Sequence, residues 1–410
     1  MTKDFTKLAA AAETAASARF AEIDRIAEEN TLRVLDAFRR NRVSDSLFSG
    51  TTGYGYDDAG RDTLDRIFAE LFGAEDALVR TGFVNGTHAI TCSLFAAAVP
   101  GKDILSLTGL PYDTLRTVIG IAGDAPGSLK EYGVGFRSIP LGEGEQYYRS
   151  ITEAVSKGGL CCAAIQRSRG YETRRALSVG EIEKMIAAVR MANKDLPIII
   201  DNCYGEFTET REPTHVGATL IAGSLIKNPG GGLAPTGGYI AGDAKFVERA
   251  AARLTCPGIG RECGSTNGMN RALYQGLFLA PHTTAQAIKT SVFAAYICDM
   301  LGFDVFPKPD DPRCDIIQTI QFHDPDKLLA FCRGIQSASP VDAHLTPEPW
   351  EMPGYDCPVV MAAGTFIQGS SIELSADAPM REPYTVYIQG GLTYESGKAG
   401  ILNALKAMDE

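Results

Sequence analysis

Residues 196–207 read LPIIIDNCYGEF. Leu196, Ile198, Ile199 and Ile200 form an apolar run of the kind a strand shows when both its faces are covered, and it stops on Asp201, which puts a carboxylate at the strand's C-terminal end. A second apolar segment, VGATLIAGSL (216–225), leads to Lys227 just ahead of three glycines, 230–232. A lysine desolvated among small residues has a lowered amine pKa and room beside it for a ring, which suits condensation with a carbonyl compound. An aspartate from a neighbouring strand can keep a pyridine nitrogen protonated. Each residue alone has a plainer reading, as a surface lysine and as a turn cap. The pair, with the rest of the chain, weighs against it.

Working outward, residues 100–200 alternate between strand and helix patterns. Strands are expected at 103–107, 133–140, 160–166 and 196–200, and helices at 113–122, 147–157 and 180–191. Such a run predicts a mostly parallel sheet with helices on both faces. Ligands of these sheets bind beyond the C-terminal strand ends, where Gln166, Ser168, Arg169, Asp201, Cys203 and Tyr204 fall. Tyr112, just past strand 103–107, is placed to cover something planar; a structural role for a single loop tyrosine is equally open.

The segment ALVRTGFVNGTHAITCSLFAAAV (77–99) reads as a short strand, the turn Asn85-Gly86-Thr87 and an alanine-rich helix. Glycine and a hydroxyl residue at a helix N-terminus offer backbone N–H groups and a dipole to an anion, although Thr87 can also serve as a simple N-cap. The sequence is neither a Walker loop nor a GxGxxG fingerprint. Before it, GTTGYGYDD (50–58) has the composition of an exposed functional loop, with Tyr54, Tyr56 and, further on, Arg61 as candidate phosphate or cofactor contacts. Residues 4–46 are helix-forming, either as an arm across a partner subunit or packed on the chain's own domain. After Lys227, GGGLAPTGGYIAG (230–242) demands positive φ or close backbone approach. A helix over 268–300 is expected to break near Pro281. Strand-like runs at 315–322, 359–366 and 384–390, with helices at 324–336 and 397–407, describe a smaller C-terminal α/β domain.

The bulk properties exclude other classes. With 39 Lys and Arg against 50 Asp and Glu, the net charge of −11 argues against nonspecific nucleic-acid binding. Ten cysteines without a CxxC spacing fit buried thiols in a reducing compartment, so a cytoplasmic protein is expected. No run approaches a membrane span, and the five histidines form no metal-binding array.

Long strings then carry a resemblance: GTTGYGYDDAGRDTLDRIFAELFGAEDALVR (50–80), VNGTHA (84–89), QRSRGY (166–171), DNCYGEF (201–207), SLIKNPGGGLAPTGGYIAG (224–242), PGIG (257–260), YQGLFLAP (274–281), MPGY (352–355), GTFIQGSSIELSADAPMREPY (364–384) and QGGLTYESG (389–397). The chain resembles, over nearly its whole length, the methionine gamma-lyase-like or aluminium-resistance family, also described as cystathionine beta-lyases, within the fold-type I pyridoxal 5'-phosphate (PLP) enzymes of cysteine and methionine metabolism.

The resemblance implies an α/β fold with a mostly parallel seven-stranded sheet, divided into a helical arm (1–48), a large PLP-binding domain (49–285) and a small α/β domain (286–410). It implies a homodimer or homotetramer acting on a small amino acid. Lys227 corresponds to the cofactor-linking lysine, Asp201 to the partner of the ring nitrogen, Gly86, Thr87 and Ser224 to the phosphate end, and Tyr112 to the ring cover. Gln166, Cys203 and Tyr204 are further cofactor contacts. Tyr54, Tyr56 and Arg61 resemble a loop lent by the neighbouring subunit, but the usual tyrosine-x-arginine pair is replaced by Tyr54-Gly55-Tyr56 with Arg61 further on. Arg381 is the first choice for the substrate carboxylate, with Arg169 and Arg174 in reserve. The implied reaction is carbon–sulfur elimination, with Tyr54, Tyr56 or Tyr112 as the acid that protonates sulfur. Loss from the gamma carbon is placed slightly ahead of loss from the beta carbon. An aminotransferase, racemase, aldolase or gamma-replacement synthase on the same scaffold is the competing class, and a cofactor-free binding protein the remote one.

Overall fold

The computed structural model describes residues 4–172, 174–352 and 357–409. Its elements in chain order are α1 (Phe5–Arg40), α2 (Ala59–Leu71), β1 (Asp76–Arg80), α3 (Gly86–Ala97), β2 (Asp103–Ser106), α4 (Asp113–Ile119), β3 (Gly135–Ser138), α5 (Gly144–Ser156), β4 (Leu160–Gln166), α6 (Val179–Ala192), β5 (Ile198–Asp201), β6 (Leu220–Ser224), β7 (Gly238–Gly242) and α7 (Ala244–Leu254). There follow α8 (Asn270–Met300), β8 (Asp304–Phe306), β9 (Gln318–Gln321), α9 (Pro325–Ser337), β10 (Val359–Ala362), β11 (Ser375–Pro379), β12 (Thr385–Gln389) and α10 (Tyr394–Ala407). The chain forms two compact units, one of residues 32–225 and 234–275, the other of residues 1–31, 226–233 and 276–410. The helical arm expected over 1–48 is therefore divided between them.

The first unit holds a seven-stranded sheet in the order β1-β7-β6-β5-β4-β2-β3. Only β7 runs against its neighbours, pairing antiparallel with both β1 and β6. The other ladders, β2–β3, β2–β4, β4–β5 and β5–β6, are parallel. Ile198, Ile199 and Ile200 of β5 and Leu220 and Ile221 of β6 are at most 2% exposed, each such side chain contributing about 1.5–3 kcal/mol. This burial makes the strand ends at Asp201 and Ser224 rigid points from which polar groups emerge.

Strand β7 is absent from the sequence expectation, which treats 230–242 as glycine-rich connection. It is nonetheless fully buried, and its glycines are required by crowding. A Cβ on Gly242 would stand 2.0 Å from Thr219 O, and one on Gly238 3.1 Å from the Cβ atoms of Ala89 and Phe83. The close approach foreseen for this stretch is real; it is realised as a strand.

The second unit holds the antiparallel sheet β10-β11-β12-β9-β8. Helices α9 and α10 pack together where Gly334 meets Ala404, and Asn403 Nδ2 donates to Gly334 O at 2.7 Å. The N-terminal part of α1 packs on its own chain, with Ala12 and Ala16 fully buried and Glu13 bound by Tyr394 Oη at 2.8 Å and Lys398 Nζ at 2.7 Å. Helix α8 continues through Pro281, contrary to the expected break. Proline removes one i to i−4 hydrogen bond. Burial of Leu277 and Ala280 on this stretch, and the bonds from Thr283 Oγ1 to Leu279 O and Gly231 O, hold the helix across the gap.

Candidate active site

In the first unit the ends of β4, β5 and β6 and the start of α3 come together. Asn85 caps α3, its Oδ1 accepting from His88 N–H at 2.9 Å. Thr87 is therefore spared the capping role, and its hydroxyl meets Thr114 Oγ1 of α4 at 3.1 Å. Gly86 is the close-packing point. A Cβ there would lie 3.1 Å from Ser224 Cβ and 3.5 Å from Cys203 Sγ. The first turn of α3 thus lies directly on the ends of β6 and β5, and only glycine leaves the backbone N–H groups accessible there.

Asp201 ends β5 and accepts Cys203 N–H at 3.1 Å, an Asx turn that re-aims the chain. Cys203 is buried, and Tyr204 follows with φ +71°, a left-handed conformation rare for tyrosine. Asp201, Cys203, Gly86 and Ser224 form one connected cluster. Gln166, at the end of β4, takes Tyr112 N–H on Oε1 at 2.8 Å and donates from Nε2 to Ser168 O at 3.0 Å. The Tyr112 ring is half-buried, 6.4 Å from that of Tyr171.

Behind these strand ends lies a polar network that sequence reading missed. The fully buried Arg167 guanidinium reaches Asn202 Oδ1 at 2.9 Å, Glu212 Oε2 at 3.1 Å and Glu209 Oε1 at 2.7 Å. Asn202 Nδ2 donates to Glu212 Oε2 and to Tyr239 Oη, and Tyr239 donates to Glu206 Oε1 at 2.7 Å. Burial raises the Glu212 carboxyl, opposed by Arg167 and Asn202. Burial and Glu206 hold the Tyr239 phenol protonated. Asn202 stands inside the quoted 196–207 stretch, yet nothing in its neighbours marks it as the hinge between two buried acids.

Lys227 belongs to the second unit and follows Ser224 by three residues, so covalent geometry keeps their Cα atoms within about 11 Å. It is half-buried and starts a tight turn in which Gly230 N–H bonds Lys227 O at 3.2 Å. The glycines after it have the expected reason: a Cβ on Gly231, φ +55°, would stand 2.3 Å from Gly276 O, and one on Gly232, φ +79°, 2.4 Å from Leu392.

The arginines separate clearly. Arg381 is exposed in the turn between β11 and β12. The Lys227 segment meets the opposite end of that hairpin, where a Cβ on Gly369 would lie 3.9 Å from Ile226 Cδ1 and Leu392 packs on Gly232. Strands of five residues span about 16 Å, the length that separates the Arg381 turn from the Leu392 end of the hairpin. Arg169 is 1% exposed in the loop after β4. Arg174 donates to Gln166 O at 3.0 Å and to Ser168 O. Arg174 therefore stands beside Gln166. Residues 353–355 of the MPGY motif (352–355) lie outside the described residues.

Tyr54 and Tyr56 are 76% and 55% exposed, with ring centroids 5.8 Å apart. The hydrogen bond that the Tyr56 hydroxyl donates to Cys263 raises the phenol pKa and keeps it protonated. Arg61, in contrast, is 2% exposed and its NH1 donates to Gly55 O at 2.6 Å. It fastens the loop from within, NH1 also donating to Gly264 O at 3.0 Å.

A model of the methionine gamma-lyase family matches residues 5–409. The chain belongs to the methionine gamma-lyase family. Its similarity to solved structures is close. One is a proposed cystathionine beta-lyase involved in aluminum resistance from Clostridium acetobutylicum, 50% identical, with a TM-score of 0.95 and coverage of 98% of this chain and 95% of that one. Another is a carbon-sulfur lyase involved in aluminum resistance from Clostridium novyi NT, 50% identical, with a TM-score of 0.94 and coverage of 98% and 94%. The protein YnbB of Bacillus subtilis is 50% identical over 389 residues, 94% of this chain and 92% of that protein.

Membership of the methionine gamma-lyase family makes this chain a PLP-dependent lyase on the fold-type I scaffold. The residues present fit that group: a glycine-lined helix start and Ser224 for a phosphate, and a strand-end carboxylate for a ring nitrogen. No helix among the described residues is long and apolar enough to cross a membrane. Nor, among them, are three or more His, Cys, Asp or Glu grouped to hold a metal ion.

Proposed function

We propose that the protein is a cystathionine beta-lyase-like enzyme that breaks the Cβ–S bond of a sulfur-containing L-amino acid, giving pyruvate, ammonia and a thiol. The observation that carries the choice of bond is the 50% identity, over 98% of the chain, to the Clostridium acetobutylicum protein described as a proposed cystathionine beta-lyase. It reverses the order expected from sequence, which placed gamma ahead of beta.

Bound PLP supplies the electron sink for the pair left when the Cα–H bond breaks. The residues around it divide the remaining work. Gly86 and Thr87 N–H groups and the Ser224 hydroxyl would hold its phosphate at the positive end of α3. Asp201 would accept a charge-assisted hydrogen bond from the ring nitrogen. Tyr112 would cover the ring and exclude water. Lys227 Nζ would anchor the cofactor and serve as the base for the Cα proton. A phenol, from Tyr54, Tyr56 or Tyr112, protonates the departing sulfur. Arg169, in the loop after β4, takes the substrate carboxylate ahead of Arg381, with Arg174 still in reserve. The active form is a homodimer or homotetramer in which Tyr54 and Tyr56 serve the neighbouring subunit.

The test is identification of the 2-oxo acid formed from L-cystathionine, L-cysteine, L-methionine and L-homocysteine by the PLP-loaded protein. Pyruvate without 2-oxobutanoate from cystathionine is expected. With 2-oxobutanoate as the product, the gamma route is restored. A protein that stays colourless after PLP is added sinks the whole assignment.

A further inference from the structure

The loop that exposes Tyr54 and Tyr56 is among the most heavily tied parts of the first unit. Gly264 N–H bonds Tyr54 O at 2.9 Å and Asn267 N–H bonds Thr51 O at 3.0 Å, so the 50–58 loop pairs with the 264–267 segment. Asp58 gathers both sides, accepting Thr51 Oγ1 at 2.6 Å, Thr266 Oγ1 at 2.7 Å, Arg61 N–H at 2.9 Å and Asn270 Nδ2 at 3.2 Å. The two segments touch so closely that a Cβ on Gly55 would lie 2.5 Å from Ser265 N. Arg261, anchored on Asp65 at 3.2 Å and on Asp76, fixes the far side of the 255–264 loop, and Arg80 holds Asp65 at 2.7 Å.

At the centre of the contact Arg61 NH1 bridges Gly55 O at 2.6 Å and Gly264 O at 3.0 Å, while its Nε holds Asp62 Oδ1 at 2.9 Å. Gly55 lies between the two tyrosines and Gly264 follows Cys263, the partner of the Tyr56 hydroxyl. All this organisation serves two rings that remain in solvent. Holding large aromatic groups outside the core has no folding benefit of its own and marks them for an external ligand.

We infer that Arg61 is a positioning residue, which joins Gly55 O to Gly264 O and thereby holds the stacked Tyr54–Tyr56 pair and the 255–264 loop in one pose for the phosphate end of the cofactor. The purpose of the pose rests on the PLP reading above; the bridge itself does not. A planar guanidinium can serve two carbonyls and a carboxylate together, whereas an ammonium is a point donor that cannot reproduce the fork. The charge of Arg61 is used inside the loop, and the ligand meets the tyrosines.

The experiment compares Arg61→Lys, Arg61→Met and Tyr56→Phe in the full-length chain. Without added cofactor, Cys263 alkylation by iodoacetamide is followed by peptide mass spectrometry, with the exposed Cys256 of the same loop as internal standard. At unchanged melting temperature, Cys263 should react about tenfold faster in both arginine variants, as expected when charged hydrogen bonds that close a loop are lost. Equal rates overturn the inference, whether or not PLP binds. Arg61→Lys, which keeps the stem and charge, carries the comparison if Arg61→Met does not fold.

With cofactor, Arg61→Lys should lose about tenfold in affinity for PLP and nothing for pyridoxal, which lacks the phosphate. Adding Tyr54→Phe and Tyr56→Phe should bring no further loss. Wild-type PLP affinity in Arg61→Lys, or losses that add, would instead make Arg61 a direct charge contact and overturn its positioning role. A wild type that binds no PLP defeats the cofactor reading alone, since the alkylation rates still decide the bridge.

Discussion

Two regions of the first unit place functional side chains by opposite means. At Asp201 and Ser224 the backbone does the positioning: buried strands of isoleucine, leucine and alanine end, and the next polar residue is held by the sheet. At Tyr54 and Tyr56 the backbone is irregular, and side chains far apart in sequence do it instead, with Arg61, Asp58, Thr266 and Asn270 tying two loops together. The first arrangement survives most surface changes and depends on small residues at contact points. The second depends on a few charged hydrogen bonds and can be loosened without disturbing the sheet.

The contrast is open to measurement. Lys227→Ala should have the largest effect, lowering the lyase rate by about 10³-fold or more and removing visible absorbance, while the circular dichroism spectrum stays that of the wild type. Retained turnover would place the proton transfer elsewhere. Asp201→Asn should come next, with a loss of roughly 10²-fold in kcat, because a neutral amide supports a protonated ring nitrogen less well than a carboxylate. Gly86→Ala should weaken PLP binding about tenfold with little change in melting temperature, since the added methyl meets Ser224 Cβ at 3.1 Å; equilibrium titration of the apoprotein reads this directly. Unaltered affinity would move the phosphate away from α3.

The smallest effect tests the tied loops. Burial raises the Asp58 carboxyl, but the bonds from Thr51, Arg61 N–H, Thr266 and Asn270 outweigh it and hold its pKa below the ordinary aspartate value. A depressed acid stabilises the folded form above its unfolded pKa and loses that contribution as pH falls through the folded value. The 50–58 loop should therefore loosen only below pH 3.8, seen as faster Cys263 modification by an acid-compatible thiol reagent. Asp58→Asn should remove that pH dependence. A transition near neutral pH would contradict the assignment.

Sequence reading caught the first region better than the second for the same physical reason. Strand 160–166 emerged with its observed limits because a contiguous apolar run leaves few alternatives. Asp201 was read from the end of such a run, Gly86 and Thr87 from helix-start chemistry, and Ser224 only from the family resemblance. The bridge that Arg61 makes between Gly55 O and Gly264 O was not foreseen, because a buried arginine joining two carbonyls has no local signature. Strand β11, written SADAP, has no β-branched residue and the glycine-rich β7, written GYIAG, has one, so their neighbours do most to make them strands.

Strand β7 also carries a consequence for synthesis of the chain. In the sheet β1 is an edge strand that pairs, among the described residues, with β7 alone, and the two are separated in sequence by everything between Arg80 and Gly238. At a translation speed of 5–20 residues per second, roughly 8–30 s pass between the appearance of β1 and that of its partner. Throughout that interval the N-terminal part of the nascent chain holds an open, apolar strand edge. Ribosome-bound chains ending before residue 238 should accordingly be captured by chaperones and cut by protease, with protection arising once 238–242 have left the exit tunnel. Early protection would mean that β1 finds a temporary partner, and the glycines of β7 would then have to displace it.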